Sequence, residues 1–368
     1  MKNIFVYIFV IFIIIFFGVC FLKYINNQRL KDKISQMVMV GFNGEELIKD
    51  NQIYNDIKKL HIGGVILFNK NTKNPNIKKN IKDFKQLKKL IADLQLISKI
   101  KLFIAIDQEG GKVSRLDNNF NVSRLSQQEL GNINDLEFTR KEAEKTGNVL
   151  KQLGINVNFA PCVDLSINKN SKIIAKYERA FSDNYEIVIN NAEQFIGVYL
   201  SLNILPVLKH FPGHGSAEGD THKGYVDITN TYQEVEMEPY KKLLKKYKNI
   251  GVMVAHIFNN NIDKNYPLSL SYNNININLK KNLNFNGLVF SDDLQMGALT
   301  TQFSWQDIII NAVNAGNDIL VIGNNLNYDE NIAKKTINII FKAVKNKQIS
   351  IERIDESYNK IMEVKSKL

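Results

Sequence analysis

The chain has 368 residues, 44% of them hydrophobic and 23% charged, the balance of a globular protein with a real core. Its net charge of +11 comes from lysines interspersed with Asn and Ile along the whole length, which marks solvated faces and sets aside a nucleic-acid patch. The length permits one large α/β barrel or two modest domains.

The N-terminus departs from this pattern. Residues 4 to 22, IFVYIFVIFIIIFFGVCFL, form an unbroken apolar run between Lys2 and Lys23. At ~1.5 Å per residue the run nearly reaches the ~30 Å of a bilayer's hydrocarbon core. It predicts an N-terminal transmembrane helix, with residues 1–28 as membrane anchor and short spacer and 29–368 as one catalytic domain. A cleaved signal peptide and a lipoprotein signal ending at Cys20 compete with the anchor. No small-x-small cleavage site follows the run, however, and Val19 stands where a lipoprotein signal needs a small residue. The anchor makes the membrane a partner and the location. Lys2 on a short tail favours an extracytoplasmic barrel, whereas Lys23, Arg29, Lys31 and Lys33 argue by the positive-inside rule for a cytoplasmic one, and both stay open. Cys162 has no partner outside the apolar run, so no disulfide is expected.

Beyond Lys23, 29-RLKDKISQMVMVGF-42 reads as an amphipathic helix running into a strand. Short apolar, β-branched runs then recur: VMVGF from 38, GGVILF from 63, LFIAID from 102, VNFAP from 157, ILPVLKH from 204, GVMVAHI from 251, GLVFSDD from 287 and DILVIG from 318. Between them lie helical periods such as 83–100, 138–154 and 330–346, with 350–364 last. Strands alternating with helices imply parallel pairing, and eight such units can close into a (β/α)8 barrel, with a doubly wound open sheet as the rival. Several strands end in polar groups: Asp107, Lys209 with His210, His256, and Asp292 with Asp293. In a barrel all of these ends open on one face and converge on one pocket.

The stretch 209-KHFPGHGSAEGDTH-222 holds three of the five histidines. His210, His214 and His222 could be metal ligands, but Pro212, Gly213 and Gly215 deny the helix that a zinc-protease motif needs, so no metal is expected. In Asp220-Thr221-His222 the carboxylate can fix one imidazole tautomer and raise the basicity of the other nitrogen, which suits general acid/base work. The bland alternative is a loop aspartate bonding its own backbone beside an exposed histidine. In 291-SDDL-294 a strand delivers carboxylates to the barrel mouth. Retaining glycoside cleavage needs a nucleophilic carboxylate and a proton donor, roles that Asp292 and His222 could fill.

These motifs together resemble glycoside hydrolase family 3, in its branch of single-domain bacterial β-N-acetylglucosaminidases that act on peptidoglycan fragments. The resemblance spans roughly residues 30 to 350 and rests on IDQEGGKVSR (106–115), GINVNFAP (154–161), ERAF (178–181), KHFPGHG with DTH (209–222) and FSDDL (290–294). It implies that Asp292 is the nucleophile, that His222 is the acid/base with Asp220 its partner on a mobile loop, and that Asp107, Arg115, Arg179, Lys209 and His210 bind sugar hydroxyls. It implies no cofactor, a monomer, and a glycan as substrate. Lys112 stands where such enzymes commonly have Arg, and Ala180 and Ser182 replace the more usual Ser and Gly, which bears on fine substrate preference. The resulting expectation is a membrane-anchored, retaining exo-β-N-acetylglucosaminidase. A family 3 glycosidase of another sugar preference, a tethered non-catalytic sugar-binding barrel and a metal-dependent hydrolase are the alternatives.

Overall fold

The computed structural model describes residues 23–74, 76–116 and 119–368. Helix α1 (23–36) leads into β1 (Val38–Val40), and the alternation continues with α2 (Gln52–Lys58), β2 (Gly64–Ile66), α3 (Phe84–Ile97) and β3 (Phe103–Ile106). After β3 come α4 (Gln127–Ile133), α5 (Leu136–Leu153), β4 (Val157–Asn158), α6 (Tyr185–Ser201), β5 (Leu205–Phe211), α7 (Glu238–Lys246) and β6 (Gly251–Val254). The chain ends with β7 (Val289–Ser291), α8 (Gly297–Thr300), α9 (Trp305–Ala315), β8 (Leu320–Ile322), α10 (Ile332–Lys345) and α11 (Ile351–Lys365).

All eight strands lie at the eight apolar runs, each buried along its full length, as parallel strands covered on both faces must be. Pairing is parallel throughout, in the order β7-β6-β5-β4-β3-β2-β1-β8. A parallel bridge between Phe290 and Ile319 joins the two ends, and the Ser291 hydroxyl accepts from the Val321 N–H at 2.9 Å across the same seam. The sheet therefore closes into the expected (β/α)8 barrel.

The β6–β7 crossover is the irregular one. It uses a 3-10 turn (Leu268–Leu270) and a π-helix (Asn273–Asn282), in which Leu283 N–H reaches back five residues to the Asn278 carbonyl. Alternating Asn and Ile form a poor α-helix, because Asn competes for its own backbone and Ile is stiff at χ1. At the opposite face, Lys365 of α11 plugs the barrel bottom. Its ammonium donates to the Gln36 side chain at 2.8 Å and the Gly63 carbonyl at 2.7 Å, 4.7 Å from the Phe103 ring centre. Gly63 is required there, since a Cβ would lie 1.9 Å from the Gln36 carbonyl oxygen.

The expected transmembrane helix is corrected. The run 4–22 lies outside the described residues, and among those residues no helix is long and apolar enough to cross a membrane. Helix α1 carries Lys23, Arg29, Lys31, Asp32 and Lys33, and turns its last residues, Ile34 to Gln36, into the barrel. Charges of that number exclude it from hydrocarbon. No described helix therefore supplies the expected anchor, and the membrane is not carried forward as partner or as location.

Candidate active site

The eight residues expected to form the site all line one cavity of about 380 Å³ at the C-terminal mouth of the barrel. The loop after β3 supplies Asp107. Its course is fixed by Asn158 of β4, whose side chain accepts from the Gln108 N–H and donates to the Gln108 carbonyl, both at 3.0 Å. Gln108 in turn accepts from the N–H groups of Arg115 and Leu116 at 3.0 and 3.1 Å, which folds the loop back on itself.

The floor of the cavity is a chain of alternating charges. Arg115 Nη2 lies 3.2 Å from Asp107, and Lys209 Nζ bridges Asp107 at 2.8 Å and Glu109 at 2.6 Å. Arg179 grips Glu109 with two parallel bonds of 2.9 and 2.8 Å and reaches His210 Nε2 at 3.1 Å. On its other side His210 Nδ1 lies 2.6 Å from Asp164. With Nδ1 donating to Asp164, Nε2 is left to face the Arg179 guanidinium. Burial alone would raise the pKa of Asp107, but Lys209 and Arg115 outweigh it and hold the carboxyl well below its usual range. The same contest is won by Arg179 and Lys209 at Glu109, and by His210 at Asp164. Asp107 and Glu109 thus face Lys209, Arg115 and Arg179 directly, while Asp164 is held by His210 and by backbone N–H groups.

Asp292 follows β7. Its Oδ1 accepts from the Asp293 N–H at 2.7 Å, and among the described residues no other side chain hydrogen-bonds this carboxylate. Burial opposes its ionisation, yet the surrounding imidazoles of His256, His210 and His222 prevail and its pKa falls below the ordinary value. Asp293 goes the other way: burial pushes it up to about 6, against N–H groups of Gly323 and Gln295 that favour the anion. His256 braces this turn from β6. Its Nε2–H donates to the Asp293 carbonyl at 3.0 Å, so Nδ1 accepts from the Ser269 hydroxyl at 2.6 Å.

The Asp220–His222 pair sits on the long loop after β5. His222 Nδ1 lies 3.0 Å from Asp220 Oδ1, which also accepts the His222 backbone N–H at 3.0 Å. The aspartate fixes the proton on Nδ1 and leaves Nε2 to exchange one. The carbonyls of Thr221 and His222 accept from the N–H groups of Ala298 and Gly297, at 3.0 and 3.1 Å, immediately after the Asp292 turn. The loop is further seated by a small apolar cluster of Ala217, Val226 and Ile228 on Ala255, Ile257 and Leu268.

The chain matches the model for the glycosyl hydrolase family 3 N terminal domain over residues 29–364. It belongs to that family. Among curated family 3 relatives, it is 28% identical over 331 residues to Beta-hexosaminidase A of Pseudoalteromonas piscicida, covering 85% of this chain and 54% of that protein. It is 33% identical over 275 residues to Beta-hexosaminidase of Shewanella frigidimarina, covering 72% and 75%. A solved family 3 β-N-acetylglucosaminidase from Paenibacillus superposes with a TM-score of 0.83 at 29% identity, covering 92% of this chain and 62% of that one. The chain thus spans about half the length of the first of these relatives and under two thirds of the solved one.

Three residues of this family 3 site are absent from the sequence-based set. Glu109 reads in isolation as a loop acid, and only the side-by-side ends of β3, β4 and β5 place it between Lys209 and Arg179. Asp164 organises the mouth: besides His210 Nδ1 it accepts the backbone N–H groups of His210 and His214, at 3.2 and 2.8 Å. His214 is buried against His210, edge to face at 5.7 Å, with neither ring nitrogen partnered among the described residues. Burial pushes its pKa down to about 4, so it is neutral at ordinary pH. Cys162, Asp164 and His210 offer ligand atoms within 4.8 Å of one another. Here the Cys162 thiol and the imidazole donate to one carboxylate oxygen, at 3.2 and 2.6 Å, and a guanidinium stands beside the same ring.

Proposed function

We propose that this family 3 chain is a retaining exo-β-N-acetylhexosaminidase that releases terminal N-acetylglucosamine from glycans such as peptidoglycan fragments, through a glycosyl-enzyme on Asp292. The observation that carries the reading is the pairing of His222 with Asp220 on a loop tied to the turn that presents Asp292. The names of the relatives agree with it, since each compared protein is a hexosaminidase or N-acetylglucosaminidase.

The chemistry follows from the geometry. Protonated His222 gives its Nε2 proton to the glycosidic oxygen as the Asp292 carboxylate attacks the anomeric carbon, so the C–O bond breaks and the alcohol leaves neutral. The imidazole, now neutral, takes a proton from water. The water oxygen displaces Asp292 from the anomeric carbon, which restores both groups. A carboxylate held below its usual pKa stays ionised for attack, and the Asp220 anion stabilises the imidazolium. A histidine donor also spares Asp292 the repulsion of a second nearby carboxylate. The cation–carboxylate floor offers paired donors and acceptors to ring hydroxyls and orients the sugar.

The test is turnover of an aryl N-acetyl-β-glucosaminide, compared with the aryl β-glucoside and repeated with chelator. Activity on the first, insensitive to chelator and abolished by Asp292→Ala, is expected. Wild-type activity in Asp292→Ala would refute the mechanism, and preference for the glucoside would favour a family 3 glycosidase of another specificity.

A further inference from the structure

The strand order places the loops after β2, β3 and β4 side by side on the mouth, and three residues of those loops, Lys70, Lys112 and Tyr177, line the cavity without belonging to its floor. Tyr177 is unusual among them. It is an aromatic ring 48% exposed at the edge of a cavity whose floor is built from charges. Large exposed aromatics at a binding mouth offer a flat apolar face with a polar tip.

The backbone beside it is held in a costly conformation. Glu178 has φ of 59°, the left-handed region, although it is not glycine. Non-glycine residues in this region cost on the order of 1 kcal/mol and persist where surrounding contacts impose them. Here the contacts are explicit. The Glu178 N–H donates to the Ala175 carbonyl at 2.9 Å, and the Glu178 carbonyl accepts from the Gln128 N–H at 3.2 Å. Lys112 Nζ reaches the Glu178 carboxylate and the Lys176 carbonyl, both at 2.9 Å. Lys112 therefore clips the residues on both sides of Tyr177. The kink turns Arg179 inward to Glu109 and leaves Tyr177 at the rim.

We propose that Tyr177, set in place by the Lys112–Glu178 clip, is the platform on which the sugar beyond the scissile bond stacks, and so a specificity-determining residue for the leaving group. The inference rests on the hexosaminidase reading and adds a residue to it. An exposed ring held by a strained turn and a lysine can accept the apolar face of a pyranose without reordering. A leaving group with no ring cannot use it.

The experiment compares N-acetylglucosaminyl-β-1,4-N-acetylglucosamine with methyl N-acetyl-β-glucosaminide in wild type, Tyr177→Ala and Tyr177→Phe. Expected is a KM for the disaccharide raised about tenfold in Tyr177→Ala, matching roughly 1.4 kcal/mol of lost stacking. The methyl glycoside and inhibition by free N-acetylglucosamine should stay within about twofold of wild type, and Tyr177→Phe should restore the disaccharide. Equal losses on both substrates would mark a structural role and overturn the proposal, as would an unchanged disaccharide KM. If wild type hydrolyses neither substrate, the hexosaminidase reading fails by itself. The platform is then decided by calorimetry: Tyr177→Ala must weaken binding of the disaccharide and not of the monosaccharide, and any other pattern refutes it.

Discussion

Replacing Glu109 by Gln removes one charge and almost no volume from the middle of the buried network. Glu109 is 1% exposed in its side chain, and its partners Lys209 and Arg179 are 2% and 11% exposed. Water therefore cannot take over the lost charge. The amide still accepts through one oxygen, but its NH2 must face a lysine or guanidinium that also donates. Three cations are left against two carboxylates. Breaking a buried ionic network from one side costs about 3 to 5 kcal/mol. With a urea slope of roughly 3 kcal/mol per M, the unfolding midpoint should fall by about 1 to 2 M. The paired control is Lys112→Met. Lys112 and Glu178 are 51% and 39% exposed in their side chains, so their pair is worth only about 0 to 1 kcal/mol. Urea titrations followed by circular dichroism provide the readout. Equal, small midpoint changes for the two variants would refute the claim that the floor is an interdependent, dry network.

Removal of the proton donor should depend on the leaving group: His222→Ala loses far less in the glycosylation step on a substrate with a very acidic phenol than on a disaccharide, measured by pre-steady-state burst, and equal losses would argue against general acid catalysis. Lys365 titrates at about 7 in the fold against 10.5 for the free side chain, because burial disfavours its charge. Between those values the unfolded chain binds more protons than the fold, so stability should rise with pH from about 7 to 10.5. Lys365→Met should flatten that rise in denaturation midpoints taken across the range, and an unchanged slope would assign it elsewhere.

The barrel was legible because each strand is covered on both faces and so reads as an apolar run, and because its last residues are polar where they meet the mouth. Asp107, Lys209, His210 and Asp292 stand at such ends, and their gathering follows from topology alone. Glu109 and Asp164 were not legible for the complementary reason. Their partners lie on other segments, 70 residues away for Glu109 with Arg179 and 46 for Asp164 with His210. A carboxylate in a loop carries no local mark of being buried. The π-helix escaped because Asn and Ile in alternation satisfy neither helical nor strand periodicity cleanly. Lys112 was noticed only as a departure from the family pattern, and its purpose became apparent once Glu178 was seen to occupy a conformation that a glycine would adopt freely.

The two N–H groups of Gly297 and Ala298 grasp the chain at 221 and 222, downstream of the loop's glycine-rich portion. The spacing between His222 and Asp292 is therefore set by this local splice and not by the length of loop that leads to it. Position 297 cannot carry a side chain without a shift, because a Cβ there would lie 2.8 Å from the His222 carbonyl oxygen. The constraint on how the Asp220–His222 pair faces the Asp292 turn is thus concentrated in one glycine.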